Sequence, residues 1–126
     1  MAVNGGRAQD AKNKKLGKLG EKKARSYLRK NGWKTVEKNY VNPFGEVDII
    51  ARKGDVLAFI EVKTRLSDEF GAPSEAVTAS RRRKYILAAK YYFAGRETDC
   101  TVRFDIIEVF RGRINCIENA FYDGGY

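Results

Sequence analysis

No histidine occurs anywhere in the 126 residues. That absence removes Ser-His triads, His-ligated zinc and imidazole acid–base catalysis together. The two cysteines, Cys100 and Cys116, form neither a metal-type spacing nor a disulfide framework. Small apolar filler in or beside strands is the expectation for both. No apolar run nears the ~20 residues that cross a bilayer. The N-terminus lacks the apolar segment of a signal peptide. A reducing cytoplasm and no membrane association are therefore expected.

What is abundant is positive charge. Lysine and arginine number 25 against 16 acids, a net +9. A field of that sign favours a polyanionic partner, most commonly nucleic acid. The excess is clustered. Residues 1–34 are crowded with Lys and Arg, including Lys14, Lys15 and Lys18, and only Asp10 and Glu21 oppose them. A second cluster, Arg81-Arg82-Arg83-Lys84, opens a helical stretch. A basic first turn opposes the helix dipole, so contact with phosphate explains it better than helix stability does.

Along the chain, residues 1–13 read as a flexible basic tail, 14–121 as a single domain and 122–126 as a loose C-terminal tail. From Lys14 to Asn31 the period is helical, with Leu16, Gly17, Gly20, Ala24, Tyr27 and Leu28 in one stripe. Glu21 lies seven residues before Leu28, so it points nearly the same way; it reads either as a carboxylate aimed at the sheet or as a glutamate at the stripe's edge paired with a lysine. Strands are predicted over Trp33–Tyr40, Glu46–Arg52 and Val56–Thr64, the last two joined by Lys53-Gly54-Asp55 as a hairpin. A polar loop from Arg65 to Pro73 leads to a turn at Ser74–Val77. A second helix is predicted from a Ser80 N-cap to about Ala94, with Tyr85, Ala88, Ala89 and Tyr92 as its apolar stripe. Strands over Val102–Phe110 and Ile114–Glu118 close the chain. Helix, three strands, helix and two strands make a mixed α/β sheet flanked by helices.

The chemistry is expected in Gly45–Lys63. Glu46, Asp48 and Glu61 interrupt strands that otherwise read as buried, and such acids are costly unless paired or bound to a metal. Glu46, Asp48 and Ile50 share one predicted face; Phe59, Glu61 and Lys63 share another. Two registers place Glu61 on the face of the other acids, opposite Glu46 in one and Asp48 in the other, whereas a three-residue loop puts them on opposite faces. Converging carboxylates form a hard oxygen site suited to Mg²⁺ or Mn²⁺. A metal there would activate water against a phosphodiester. Lys63 would orient that water or stabilise charge on the phosphate. The same residues also read as a buried salt-bridge network, with Lys63 neutralising Glu61 and Asp48.

Asp48 followed by Glu61-Val62-Lys63 resembles the PD-(D/E)XK nuclease superfamily, which includes restriction endonucleases and Holliday junction resolvases. More closely, the chain is identified as a member of the uncharacterised UPF0102 (YraN-like) family. The resemblance rests on Gly45–Ala51, Phe59–Arg65, Phe70–Val77, Arg103-Phe104-Asp105 and Ile117–Phe121, with Glu21, Ala24 and Tyr27-Leu28 in the first helix. It implies a restriction-endonuclease-like αβββαβ core. It also implies that Asp48, Glu61 and the backbone of Val62 hold the metal and that Lys63 stands at the attacking water. Glu21 corresponds to the first-helix glutamate of the resolvase branch, and Glu46 belongs to the closer family's own motif. That family often carries Lys-Gln where this chain has Arg81-Arg82-Arg83, so no glutamine role transfers.

The function expected is metal-dependent cleavage of DNA, with branched or single-stranded regions as candidate substrates. Catalysis would rest on Asp48, Glu61, Lys63, Glu21 and Glu46, and DNA contact on Lys14, Lys15, Lys18, Arg65, Arg81, Arg82, Arg83 and Lys84. The alternative is a nucleic-acid-binding module with this fold and little catalysis, acting in a repair or recombination assembly. Two cuts need two sites, so a homodimer would suit a resolvase-like enzyme.

Overall fold

Three tight hairpins and one helical crossover set the topology. The computed structural model describes residues 2–65, 78–96 and 99–121, with side chains from Ala11 onward except Asn13. The elements are α1 (Ala2–Lys30), β1 (Lys34–Asn42), β2 (Gly45–Lys53), β3 (Val56–Arg65), α2 (Ala79–Phe93), β4 (Thr101–Phe110) and β5 (Arg113–Phe121). The sheet has five strands in the order β1-β2-β3-β4-β5. All neighbours are antiparallel except β3 and β4. That parallel pair needs a crossover connection, and α2 lies within it. This is the restriction-endonuclease-like αβββαβ order, extended by β5.

Local chemistry accounts for the turns. Lys53 pairs with Val56, leaving Gly54-Asp55 as a two-residue loop. Gly54, at its first central position, has φ +60°, the sense a type II′ turn requires. Arg111 and Gly112 both have positive φ between the paired Phe110 and Arg113, as a type I′ turn demands.

Two cores lie on the two faces of the sheet. Val47, Ile50, Leu57, Phe59, Phe104, Ile106 and Phe121 pack with Tyr85, Ile86, Ala88 and Ala89 of α2. Ile49, Ala51, Ala58, Ile60, Ile107 and Val109 pack with Ala24 and Leu28 of α1. The middle strands are thus buried on both faces, which is why they read as nearly continuous apolar runs. α1 comes especially close to β3 at Gly20, where a Cβ would run into Thr64 Oγ1.

Several expected boundaries move. α1 begins at Ala2 rather than near Lys14, so the segment expected as a tail is assigned to the helix; Ala, Gln, Arg and Lys outweigh Gly5-Gly6 there. The α2 N-cap is Thr78, not Ser80: Thr78 has extended backbone and its hydroxyl accepts the Arg81 N–H. β5 continues past Glu118 to Phe121, which fills the α2-side core. The expected turn at Ser74–Val77 and the 122–126 tail lie outside the described residues.

One irregularity matters for the site. Alternate residues of a strand share a face, yet Lys38 lies beside Arg25 and Arg29 of α1 while Tyr40 packs into the α2-side core. Asn39 between them has φ +51°, and this left-handed residue turns the strand over. The facing strand follows: Ile49, opposite Lys38, belongs to the α1 side, and Val47, opposite Tyr40, to the α2 side. The expectation that Glu46, Asp48 and Ile50 share a face is therefore corrected. The alternation breaks at Asp48.

Candidate functional site

The register settles the hairpin. Ile49 pairs with Ile60 and Ile50 with Phe59, a frame that sets Asp48 across from Glu61. Regular pairing ends at Ile49–Ile60. In its place stands the Tyr85 hydroxyl, which accepts the Asp48 N–H at 3.2 Å and donates to the Ile60 carbonyl at 3.3 Å. A side chain from α2 thus bridges two strand backbones at the point where they part. Tyr85 reads in the sequence as an apolar stripe residue, and nothing in that pattern reveals its polar end.

Asp48 is only 8% exposed and Glu61 only 2%. Asp48 Oδ2 accepts the Val62 N–H at 2.9 Å. Its carboxyl is pushed up to about 7, chiefly by burial, then by the neighbouring Glu61 and Glu21; the Val62 hydrogen bond and Arg81 act the other way without prevailing. Glu61 is better compensated. Arg81 donates to its Oε2 from Nη2 at 3.2 Å and Nε at 3.3 Å, and Lys63 Nζ lies 3.4 Å from its Oε1. Burial and the same acids raise the Tyr85 phenol well above its ordinary range, so it remains a proton donor.

Glu21 and Glu46 meet through a residue that sequence reasoning missed. The Asn39 amide donates to Glu21 Oε1 at 2.8 Å and to Glu46 Oε1 at 2.9 Å. Glu21 is also close enough to raise the Asp48 carboxyl. Asparagine is among the few residues that tolerate the left-handed region, the one signal that could have marked Asn39.

The expected phosphate-contacting residues divide. Lys14, Lys15 and Lys18 are exposed on α1, as are Arg83 and Lys84 on α2. Arg82 is half-buried. Arg81 is engaged with Glu61. Arg65 forms an ion pair of 2.9 Å with Glu108, so its charge is committed within the fold. Neither cysteine is in a disulfide, and burial pushes the Cys116 thiol up to about 11, away from nucleophilic reactivity.

Could a divalent ion fit? Among the described residues no group of three or more His, Cys, Asp or Glu side chains is arranged to hold one. Mg²⁺, however, is commonly bound through one or two carboxylates with several waters retained. Asp48 and Glu61 supply that donor set, and Asp48 is short of positive charge in the way a cation would relieve. Among the described residues Lys63 and Arg81 both pair with Glu61, while Asp48 accepts the Val62 backbone N–H.

Comparison with known proteins places the chain among uncharacterised relatives. The family described as Uncharacterised protein family UPF0102 matches residues 20–109. A UPF0102 protein of Thermodesulfovibrio yellowstonii is 47% identical over 107 residues, covering 85% of this chain and 96% of the relative. One from Clostridioides difficile is 46% identical over 112 residues, covering 86% and 98%. One from Caldicellulosiruptor saccharolyticus is 41% identical over 115 residues, with the same coverage of 86% and 98%. None of these descriptions states an activity.

Proposed function

The chain belongs to the uncharacterised family UPF0102, and from that premise we propose that it is a Mg²⁺- or Mn²⁺-dependent endonuclease that hydrolyses DNA phosphodiesters. The observation that carries this reading is the buried Asp48–Glu61 pair facing across a hairpin whose strand backbones are bridged there by the Tyr85 hydroxyl. Two acids on adjacent strands with one left uncompensated are costly for folding alone. They are useful where a divalent ion and a phosphate complete the charge balance.

Asp48 and Glu61 would hold the ion, with the Val62 backbone beside them. The chemistry supplied by the bound ion is polarisation of the phosphoryl oxygen and a lowered pKa of bound water. Lys63, on the exposed side of Glu61, orients the attacking water and stabilises charge as it develops on the phosphate. Arg81 holds Glu61 in place without substrate and is positioned to turn toward a phosphate. Arg83 and Lys84 on α2, with Lys14, Lys15 and Lys18 on α1, carry the sequence-independent grip on the backbone. Branched DNA is the substrate class this reading favours, because basic surface lies on both helices. A homodimer would allow paired cuts, which sedimentation of the protein with and without a four-way junction would reveal.

The test is cleavage of linear, nicked, flap and four-way-junction DNA with Mg²⁺, Mn²⁺ or EDTA, beside Asp48→Ala and Lys63→Ala. Cleavage is expected with metal only, and lost in both variants. Cleavage that survives both substitutions would overturn the assignment. A second reading, a nucleic-acid-binding module with little catalysis, draws on the Arg81–Glu61 pair, which already neutralises one metal ligand. Binding of every substrate with no cleavage, and no Mn²⁺ uptake by calorimetry, would select it.

A further inference from the structure

A groove of about 730 Å³ runs between α1 and the edge strand β1. Its walls carry Lys22, Arg25 and Arg29 from α1 and Lys34 and Lys38 from β1, with Trp33 at one end. No acid lines it. Five basic residues elsewhere in the fold are ion-paired: Arg52 with Asp99, Lys63 and Arg81 with Glu61, Arg65 with Glu108 and Arg103 with Asp105. The five cations of the groove make no ion pair with an acid among the described residues. Like charges gathered in one concavity repel, and a polyanion relieves that cost.

We propose that this groove holds a single-stranded nucleic-acid arm leading to or from the carboxylate site. The proposal rests on the nuclease reading and adds a second binding track to it. Position is the first argument. Lys22 follows Glu21 and Lys38 precedes Asn39, and Glu21 and Asn39 are hydrogen-bonded to each other. The Lys22–Lys38 end of the groove is therefore next in the chain to the Glu21–Asn39 pair, on the α1 side of the sheet, whereas Arg81 meets Glu61 from α2.

Size is the second argument. Lys22 to Arg29 spans about 10 Å of helix at 1.5 Å per residue. That matches about three nucleotide steps of a stacked strand at ~3.4 Å each, more than one phosphate requires. The groove's cations come from one helix and one edge strand, a charged track of the kind that follows a single backbone. Trp33, half-buried against the α1-side core, stands at the end of the track. The Arg103 guanidinium lies 5.2 Å from its ring centroid, and Arg103 is itself fixed by Asp105. A positively charged groove that tracks the backbone is a usual component of single-strand recognition.

The experiment measures binding in EDTA, so that chemistry plays no part. Fluorescence anisotropy would follow an oligothymidylate of about 12 nucleotides, within the usual single-strand site sizes, and a duplex of the same length. The proteins are the wild type, the triple variant Arg25→Gln/Arg29→Gln/Lys38→Gln, and a control triple variant on α2, Arg82→Gln/Arg83→Gln/Lys84→Gln. The groove variant is expected to lose at least about tenfold in oligothymidylate affinity, with a salt dependence shallower by about 2, at ~0.7 per phosphate contact removed. The α2 variant is expected to lose more on the duplex than on the single strand. The single Lys38→Gln variant, at an exposed position, is expected to show a smaller loss in the same direction with an unchanged melting temperature. Oligothymidylate binding within twofold of wild type would overturn the proposal. So would equal losses on single strand and duplex, or competition by polyglutamate as strong as by the oligonucleotide, which would point to an acidic peptide. If no DNA is ever cleaved but the groove variant behaves as expected, the nuclease reading fails and the groove stands.

Discussion

Two aspartates are buried in the central strands of this sheet, and they are buried differently. Asp105 is 2% exposed. Arg103 grips its two oxygens, with Nε and Nη2 both at 2.9 Å, and the Asn119 N–H adds a bond at 2.8 Å. Asp48 is 8% exposed and accepts the Val62 N–H, with Glu61 and Glu21 raising its carboxyl and the Arg81 charge only partly opposing them. Both are buried among strand residues, so burial does not separate them. Pairing does. Asp105 is compensated within the fold and ties β4 to β5. Asp48 is left needing a positive partner.

The largest expected effect is on the compensated member. Asp105→Ala leaves Arg103 without its bidentate partner in a half-buried position and should destabilise the protein by about 3–5 kcal/mol, as removal of one partner of a buried pair does. Asp48→Asn should do the opposite. An amide accepts the Val62 N–H, can donate toward Glu61, and removes the repulsion, so stability at pH 8 should rise by about 2–4 kcal/mol while cleavage falls at least about 10²-fold. Urea unfolding and a cleavage assay on both variants check the contrast. A destabilised Asp48→Asn protein would erase it.

The pH dependence sharpens the same point. The Asp48 carboxyl is pushed up to about 7, above its ordinary value near 3.9 in an unfolded chain. The folded state therefore binds the proton more tightly. Its contribution to stability is full below about pH 4 and is lost as pH rises through about 7, with a total of at most about 4 kcal/mol. Asp48→Asn should flatten that slope in urea titrations carried out without metal. Mn²⁺ affinity should move the other way and strengthen as pH rises through the same range, because the ion competes with the proton. A wild-type stability profile that is flat from pH 4 to 8 would contradict the assignment.

A smaller effect is expected at the wedge between the strands. Tyr85→Phe keeps the ring in the core but removes the hydroxyl that joins Asp48 N–H to the Ile60 carbonyl. A stability cost of about 1–2 kcal/mol is expected from the two groups left unbonded. Metal affinity should fall about tenfold, as it does when groups that orient ligands are lost. Calorimetry with Mn²⁺ on a variant confirmed to be folded separates the two effects.

How far the sequence could foresee this site depends on which interaction held each part. The succession of helices and strands along the chain followed from apolar patterning, because the middle strands are buried on both faces and their acids stand out. The register was open only at one turn, and Gly54 resolves it by taking the positive φ of a two-residue loop. Tyr85 was hidden because a helical stripe reports where a ring goes and not what its hydroxyl meets. Ser80 and Thr78 are both hydroxyl residues ahead of the same stripe, so periodicity could not choose the cap. Asp105 and Arg103 alternate with Val102, Phe104 and Ile106, and their mutual clamp is an i,i+2 contact that a strand pattern treats as solvent-facing. The inversion at Asn39 was invisible for a different reason: it is a backbone event, and asparagine within a polar edge strand attracts no notice.

That inversion supplies the smallest expected effect and the finest division between fold and site. Asn39→Gly keeps the φ of +51° accessible, since glycine enters the left-handed region without a steric penalty. The strand should still turn over, Lys38 and Tyr40 should keep their opposite sides, and stability should change by less than about 1 kcal/mol. What disappears is the amide that joins Glu21 to Glu46. If those two carboxylates assist the Asp48–Glu61 pair, cleavage should fall by up to about tenfold while Mn²⁺ affinity, set by Asp48 and Glu61, stays within about twofold. Asn39→Val should behave differently, because a β-branched residue resists positive φ. It should lower the melting temperature and disturb Val47 and Ile49 together, the two residues whose faces depend on the inversion. Loss of activity in the valine variant with full activity in the glycine variant would assign Asn39 to the backbone alone and remove Glu21 and Glu46 from the reacting group.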